Sequence, residues 1–187
     1  MPKKATKPAK QPVALDNHEE TNNSNAENEF VPVQRAGFGR RMLAILYDSL
    51  VVTAVIMFAF AALLAFIALV VKTGLISLPE GGDHASLLQG NPLTTLYLIA
   101  VVLWFYVGFW ARGGQTLGMR TWRLRVRNTD NSRITRKQAL IRAVTALFGL
   151  GNLWVLFGKD KLALQDRLAK CEVVVLSAEA NQFKNWK

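Results

Sequence analysis

The feature that most constrains the fold is an almost unbroken apolar run, Met42–Val71. The hydrocarbon core of a bilayer is roughly 30 Å thick and about 20 helical residues cross it, so this run can span it with some tilt. A soluble fold would have to cover the whole run, and a chain of 187 residues leaves too little other polypeptide to do so. The run therefore predicts a membrane-spanning helix from Arg41 to about Val71.

Two further apolar segments follow. The segment Leu93–Trp110 is predicted to span, because aromatic residues crowd its end and Arg112 follows, as is typical of a helix reaching the membrane–water interface. The third stretch, Ala139–Phe157, is weaker, since it contains Arg142, Asn152 and a pair of glycines. It is predicted either to span the membrane or to form a re-entrant or interfacial hairpin.

The distribution of charge predicts the orientation of the chain, whose net charge is +10. Three arginines precede the first span, one lysine lies in residues 72–92, and nine Lys or Arg lie in residues 112–142. Because Lys and Arg collect in cytoplasmic loops, we expect a multi-pass protein of the bacterial inner membrane with a cytoplasmic N-terminus. The third stretch is followed by more basic residues, which favours the hairpin.

The same charges predict which molecules the chain binds. The orientation already accounts for the basic loops, so nucleic-acid binding is not expected, and anionic lipid is the predicted partner of these loops. Two or three spans enclose an aqueous path poorly, so any transport would require a homo-oligomer or a membrane partner.

The chain is predicted to consist of two tails and a membrane domain between them. Residues 1–34 are rich in Lys, Pro, Asn and Glu and are predicted to be a disordered cytoplasmic tail. The membrane domain is predicted over residues 35–177 and a C-terminal tail over residues 178–187. Apolar and basic residues alternate in Thr121–Arg127, which predicts a strand that could pair with a second candidate, Cys171–Leu176.

The predicted fold class is therefore an α-helical integral membrane protein. It has two transmembrane helices, a third spanning or re-entrant hydrophobic segment, and a small cytoplasmic pair of β-strands. Thr135 and Gln138 have the spacing of a capping box and predict the start of the helix after the first strand.

No pattern indicates an enzyme. The two histidines, His18 and His84, lie in polar segments, and Cys171 is the one cysteine. The sequence contains no His, Cys, Asp or Glu cluster with metal-ligand spacing and no glycine loop that would cradle a phosphate. We therefore expect no catalytic residue, no metal and no cofactor.

The one charged residue inside the first apolar run is Asp48. Arg41, Ala44 and Asp48 share one helical stripe, with Arg41 and Asp48 roughly 10 Å apart. A carboxylate in hydrocarbon is costly unless it is paired, hydrated or protonated, so we expect Asp48 to face protein or a water-filled cavity with a cation nearby. Two interpretations stay open: a cation or proton site, and a structural ion pair that fixes the helix.

Three motifs occur in order along the chain. Arg41, Ala44 and Asp48 lie in the first span, a Gly-Gln-Thr-x-Gly-x-Arg motif (the GQT motif, residues 114–120) follows the second, and Asp-Arg-Leu-Ala (residues 166–169) lies near the C-terminus. Together they resemble the RDD family of membrane proteins, named for one arginine and two aspartates. The residues that correspond here are Arg41, Asp48 and Asp166, and the supporting residues are Arg142, Gly114, Gln115, Thr116, Gly118 and Arg167.

The sequence departs from the family pattern at Arg40, which lies beside Arg41, and at Lys170–Cys171, where the family more often has small residues. The resemblance implies a transport role. We expect a small transporter or transport accessory for cations or protons, in which Asp48 binds the ion, Arg41 tunes the charge state of Asp48, and Asp166 forms a cytoplasmic gate with the GQT motif. The alternative is a non-transporting scaffold or assembly factor that recruits cytoplasmic partners. Two environments of Asp166 stay open: solvent, and an ion pair with Arg41 or with an arginine of the GQT motif.

Overall fold

The computed structural model describes residues 34–78 and 81–182, with only the backbone at 147 and 148, and all of them belong to one compact unit. The predicted disordered tail therefore lies outside the described residues except for Gln34. Residues 183–187 of the predicted C-terminal tail also lie outside them.

Two long helices are apolar enough to cross a membrane, which confirms both predicted spans. Helix α1 (Phe38–Lys72) has 35 residues and is about 52 Å long, well beyond the roughly 30 Å of a hydrocarbon core. Helix α2 (Pro92–Gly113) begins with a proline, and its N-cap Asn91 accepts a hydrogen bond from the Leu93 backbone. It ends at Gly114, whose φ of +69° is a left-handed conformation that favours glycine.

The third hydrophobic stretch is broken. It comprises α4 (Arg136–Thr145), a 3₁₀ helix (Leu147–Leu153) and α5 (Trp154–Phe157), and it bends by 88° between its two arms. Gly149 lies in the break with a φ of +98°. By length and composition the bent pair counts either as a broken third span or as a re-entrant loop, so both predicted alternatives remain.

The predicted strand pair is confirmed. Strand β1 (Leu124–Arg127) runs antiparallel to β2 (Glu172–Val175), with Leu124 opposite Val175 and Arg127 opposite Glu172. The apolar face of β1 is buried and its arginine face is partly exposed, as the alternation predicted. On the other edge of β2, the Ala36 backbone donates to the Val173 carbonyl at 2.9 Å, which ties the sheet to the start of α1.

Two short helices complete the structure. Helix α3 (Leu117–Thr121) follows α2 and packs against α1, and α6 (Leu164–Leu168) precedes β2 and packs against α4. The capping box predicted at Thr135 and Gln138 is present at the start of α4. The overall fold class is confirmed: a mostly helical membrane protein with two spans, a third hydrophobic segment and a two-stranded sheet.

The buried stripe on α1 lies at its N-terminal end. Arg41, Ala44 and Asp48 are buried there, and only Ala59 is buried in the rest of the helix. The short helices α3 and α6 and the sheet gather around this end, so Arg41 and Asp48 are covered by protein. This end of α1 is therefore where a functional site can be built.

Candidate functional site

Asp166 is the centre of a buried charge cluster. Its side chain is fully buried in the first turn of α6. Arg41 Nη1 donates to Asp166 Oδ2 at 2.6 Å, and Arg142 Nη1 donates to the other oxygen, Oδ1. Each carboxylate oxygen thus has its own guanidinium partner, and together they form what we call the Arg–Asp–Arg cluster (Arg41, Arg142 and Asp166).

Arg41 connects several segments. Its Nε donates to the Ala36 carbonyl at 3.1 Å, and its Nη2 donates to the Lys161 carbonyl at 3.4 Å. Its Nη1 also donates to Asn152 Oδ1 at 3.3 Å, beside the ion pair with Asp166. One side chain at the start of α1 therefore holds the 3₁₀ helix, the loop before α6 and α6 itself.

Arg142 reaches the cluster from α4. Its guanidinium carbon lies 4.7 Å from the ring centroid of Trp110, a cation–π contact with the end of α2. Its Nη1 also lies 3.7 Å from Cys171 Sγ. Two arginines against one aspartate leave the cluster with one surplus positive charge, and the Trp110 ring face and the sulfur lie beside that charge.

Two polar residues beside the Arg–Asp–Arg cluster, Asn152 and Gln165, had no predicted role. Gln165 Nε2 donates to Asn152 Oδ1 at 3.0 Å, the same oxygen that accepts from Arg41. Both side chains are buried. Asn152 stood out in the sequence as an amide inside a hydrophobic stretch, and that is the one signal that could have identified it.

Asp48 is buried as deeply but has different neighbours. Thr116 Oγ1 donates to Asp48 Oδ2 at 2.5 Å, and the Gly118 backbone N–H donates to Oδ1 at 2.8 Å. Within residues 34–78 and 81–182, no cationic side chain lies within ion-pair distance of this carboxylate. Among these residues, therefore, two neutral donors hold the carboxylate and no arginine or lysine forms an ion pair with it.

The GQT motif explains why these residue types are required around Asp48. Thr116 is the N-cap of α3 and accepts from the Met119 backbone at 3.3 Å while donating to Asp48. A side chain at Gly118 would collide with the Ala44 carbonyl and place its Cβ 2.9 Å from the Asp48 carboxyl carbon. Gly118 and Ala44 therefore let α3 approach α1 closely enough to cover the carboxylate.

The first two residues of the motif serve the sheet. The Gly114 carbonyl accepts from the Val126 backbone at 2.7 Å, and a Cβ at Gly114 would lie 2.5 Å from the Val126 carbonyl oxygen. Gln115 Nε2 donates to the Leu124 carbonyl at 2.8 Å and to Asn181 Oδ1 at 2.9 Å. These contacts fix the loop between α2 and β1, so both residues position the motif without touching either aspartate.

The expectation that Asp166 forms a gate with the GQT motif stays a prediction. The motif contacts Asp48, and Asp166 pairs with Arg41 and Arg142. Arg41 and Asp48 share one buried stripe, yet Arg41 turns toward α6. Arg167 is half-exposed, and its ion-pair partner is Asp160, at 3.9 Å, rather than Asp48 or Asp166.

Glu172, for which no role was predicted, forms a further buried charge cluster on the sheet. Glu172 accepts from Arg35 Nε at 2.9 Å and pairs with Arg127 Nη2 at 3.1 Å. The sequence feature that could have identified this cluster is an acid at the start of an otherwise apolar strand, opposite a predicted strand that contains arginines. This cluster fastens the segment before α1 to both strands.

Cys171 lies beside the Arg–Asp–Arg cluster. Burial raises the pKa of its thiol above the ordinary value, and the neighbouring Arg142 opposes part of that rise. Within the part of the chain that the structure describes, no three His, Cys, Asp or Glu side chains are grouped so as to hold a metal ion.

The fold and the site define a class: a small α-helical membrane protein with two buried aspartates at one end of its spans. The family model of the RDD family matches residues 35–170, which contain both aspartates and every residue of the GQT motif. The chain belongs to the RDD family. No curated protein and no solved structure matches it.

Proposed function

We propose that this RDD-family protein is a small transporter, or transport accessory, of the bacterial inner membrane, and that Asp48 exchanges a cation or a proton. The observation that carries this proposal is the environment of Asp48. It is a buried carboxylate on a membrane-spanning helix, and the described residues around it are neutral donors.

The physical reason is the difference between neutral and charged partners. An arginine beside a carboxylate holds it in its charged form, because guanidinium groups do not lose their proton in proteins. A threonine hydroxyl and a backbone N–H stabilise the negative charge less than an arginine does. A proton or a cation that binds the carboxylate can therefore provide the remaining stabilisation. Carboxylate and hydroxyl oxygens are also the ligands that hard cations prefer.

The Arg–Asp–Arg cluster has a different role in this proposal. Its two arginines and one aspartate hold α1, α4 and α6 together and keep a fixed charge. The GQT motif, which covers Asp48, takes the gating role. Movement of α3 away from Ala44 would break both hydrogen bonds to Asp48 and open the carboxylate to water.

Topology and assembly complete the proposal. The N-terminus and the basic loop after α2 face the cytoplasm, since the Lys and Arg residues collect there. One copy supplies two or three spans, so a conducting path forms between copies or with a membrane partner. No catalytic activity belongs to this function.

The test is dye-monitored proton flux in everted vesicles from a transporter-deficient strain. Wild type, Asp48→Asn and the control Asp160→Asn are compared at matched expression, with sodium, potassium and lithium added in turn. Asp160 is exposed, so its substitution controls for the loss of one acid. We expect cation addition to dissipate the proton gradient with wild type and Asp160→Asn only. No response from wild type, or an undiminished response from Asp48→Asn, contradicts the proposal.

A second candidate, a non-transporting scaffold, is favoured by the hydrogen bonds themselves. Asp48 ties α3 to α1, and the Arg–Asp–Arg cluster ties three other segments together, so both aspartates could serve assembly alone. Under this function the basic loop and residues 1–34 recruit partners. Wild-type vesicles without flux and an Asp48→Asn variant of reduced abundance would support the scaffold.

A further inference from the structure

A groove runs along one face of the last turns of α2. It is open to the outside and has a volume of about 730 Å³. Its walls are aromatic and apolar on the side of the membrane span and end at two arginines, one on α2 and one in the loop before α4. Its lining includes Trp104, Gly108, Phe109, Arg112 and Arg133.

The spacing of these residues gives the groove its direction. From Trp104 to Arg112 the helix rises about 12 Å, which lies within one leaflet of a roughly 30 Å hydrocarbon core. Gly108 lies between the aromatic residues, and a Cβ there would meet nothing within 4 Å, so the floor of the groove is open. The side chain of Trp104 is 73% exposed at the apolar end. The groove thus leads from the arginines into the lipid-facing surface of α2.

Three arginines lie at the charged end of the groove. Arg112 and Arg133 are exposed, and Arg125 on β1 is close enough to Arg133 to be repelled by it. Burial first, and then the charges of Arg133 and Arg127, lower the pKa of Arg125. Among the described residues no carboxylate lies within ion-pair distance of Arg112, Arg125 or Arg133, whereas Arg127 pairs with Glu172.

We propose that this groove binds one anionic phospholipid. Its phosphate lies between Arg112 and Arg133, and one acyl chain lies along Trp104, Gly108 and Phe109. Clustered arginines at the membrane surface attract anionic headgroups, and aromatic residues at the same depth suit the interface. A second copy of the chain is a poorer occupant, because a two-fold contact through this face would bring the same arginines together.

The lipid site is independent of the transport proposal, since it shares no residue with Asp48 or the Arg–Asp–Arg cluster. Trp104 provides its own reporter, because bromine atoms on an acyl chain quench tryptophan fluorescence on contact. The full chain is reconstituted in phosphatidylcholine nanodiscs that contain a small, equal fraction of either brominated phosphatidylglycerol or brominated phosphatidylcholine. The contribution of Trp104 is the difference between wild type and Trp104→Phe.

We expect brominated phosphatidylglycerol to quench Trp104 more than brominated phosphatidylcholine does. The paired substitution Arg112→Gln with Arg133→Gln should remove this preference, with a loss in relative affinity of about fivefold for each arginine. The matched control Arg136→Gln with Lys137→Gln removes two exposed cations at the start of α4 and should keep the preference.

Three results would overturn the proposal. Equal quenching by the two lipids in wild type would show that the groove has no preference for anionic lipid. Loss of the preference in the control pair would show that net charge alone attracts the lipid. Absence of quenching by either lipid would show that another protein surface covers Trp104.

Discussion

The two buried aspartates at the N-terminal end of α1 are equally hidden but have opposite surroundings. Asp48 is 3% exposed and Asp166 is 0% exposed. Asp166 lies between two guanidinium groups, whereas the described partners of Asp48 are a hydroxyl and a backbone N–H. Burial alone therefore does not define a role for an acid in a membrane protein. In the proposed function, the charge of the partners separates a fixed structural centre, Asp166, from an exchange site, Asp48.

The largest effect is expected on the Asp166 side of this comparison. Asp166→Asn keeps the shape of the side chain but leaves Arg41 and Arg142 buried without a countercharge. Removing one partner of a buried ion pair costs about 3–5 kcal/mol, so we expect a large loss of membrane-inserted protein and of thermal stability in detergent. The control Asp160→Asn changes an exposed acid and should stay within about 0.5 kcal/mol of wild type. A fully stable Asp166→Asn protein would remove the structural role.

A smaller effect is expected where α3 meets Asp48. Gly118→Ala introduces a Cβ into the contact with Ala44 and the carboxyl group, so α3 must move outward. Overpacking of this kind costs about 1–3 kcal/mol in unfolding free energy, measured by thermal denaturation in detergent. Gly39→Ala is the matched control, because nothing lies within 4 Å of a Cβ at that position. Equal stability of the two variants would show that α3 is not held tightly over Asp48.

The smallest effect is expected on the rate at which Cys171 is labelled by a thiol reagent. This rate reports on the Arg–Asp–Arg cluster and not on Asp48. Since burial raises the pKa of the Cys171 thiol, less thiolate forms at neutral pH than for a free cysteine, and maleimide labelling should be slow and should accelerate only at more alkaline pH. Asp166→Asn should speed labelling by loosening the cluster, whereas Asp48→Asn should leave the rate unchanged. Equal acceleration by both variants would show that the two aspartates belong to one coupled unit.

Much of the fold was predictable from local sequence. The apolar runs predicted α1 and α2, the alternation of arginines predicted β1, and the spacing of Thr135 and Gln138 predicted the start of α4. The helical stripe of Arg41, Ala44 and Asp48 is buried as its spacing required. These features depend on periodicity and capping, which residues close in sequence determine.

Local sequence patterns alone did not specify how the charged residues pair. Arg41 lies on the same stripe as Asp48, but its partner Asp166 is 125 residues away, and Thr116 reaches Asp48 across 68 residues. Such pairs depend on how α3 and α6 pack against α1, which no local pattern specifies. The amides of Asn152 and Gln165 were missed for the same reason, because a polar residue in an apolar stretch shows that it needs a partner but not which one.

The most direct test of the contrast is proton release on cation binding by the purified protein. Wild type, Asp48→Asn and Asp160→Asn are held in lightly buffered detergent solution, and the pH is followed as sodium, potassium or lithium is added. We predict that at least one cation releases protons from wild type and Asp160→Asn, and that none does so from a folded Asp48→Asn protein. Undiminished release from Asp48→Asn, or no release from wild type, would contradict an exchange site at Asp48.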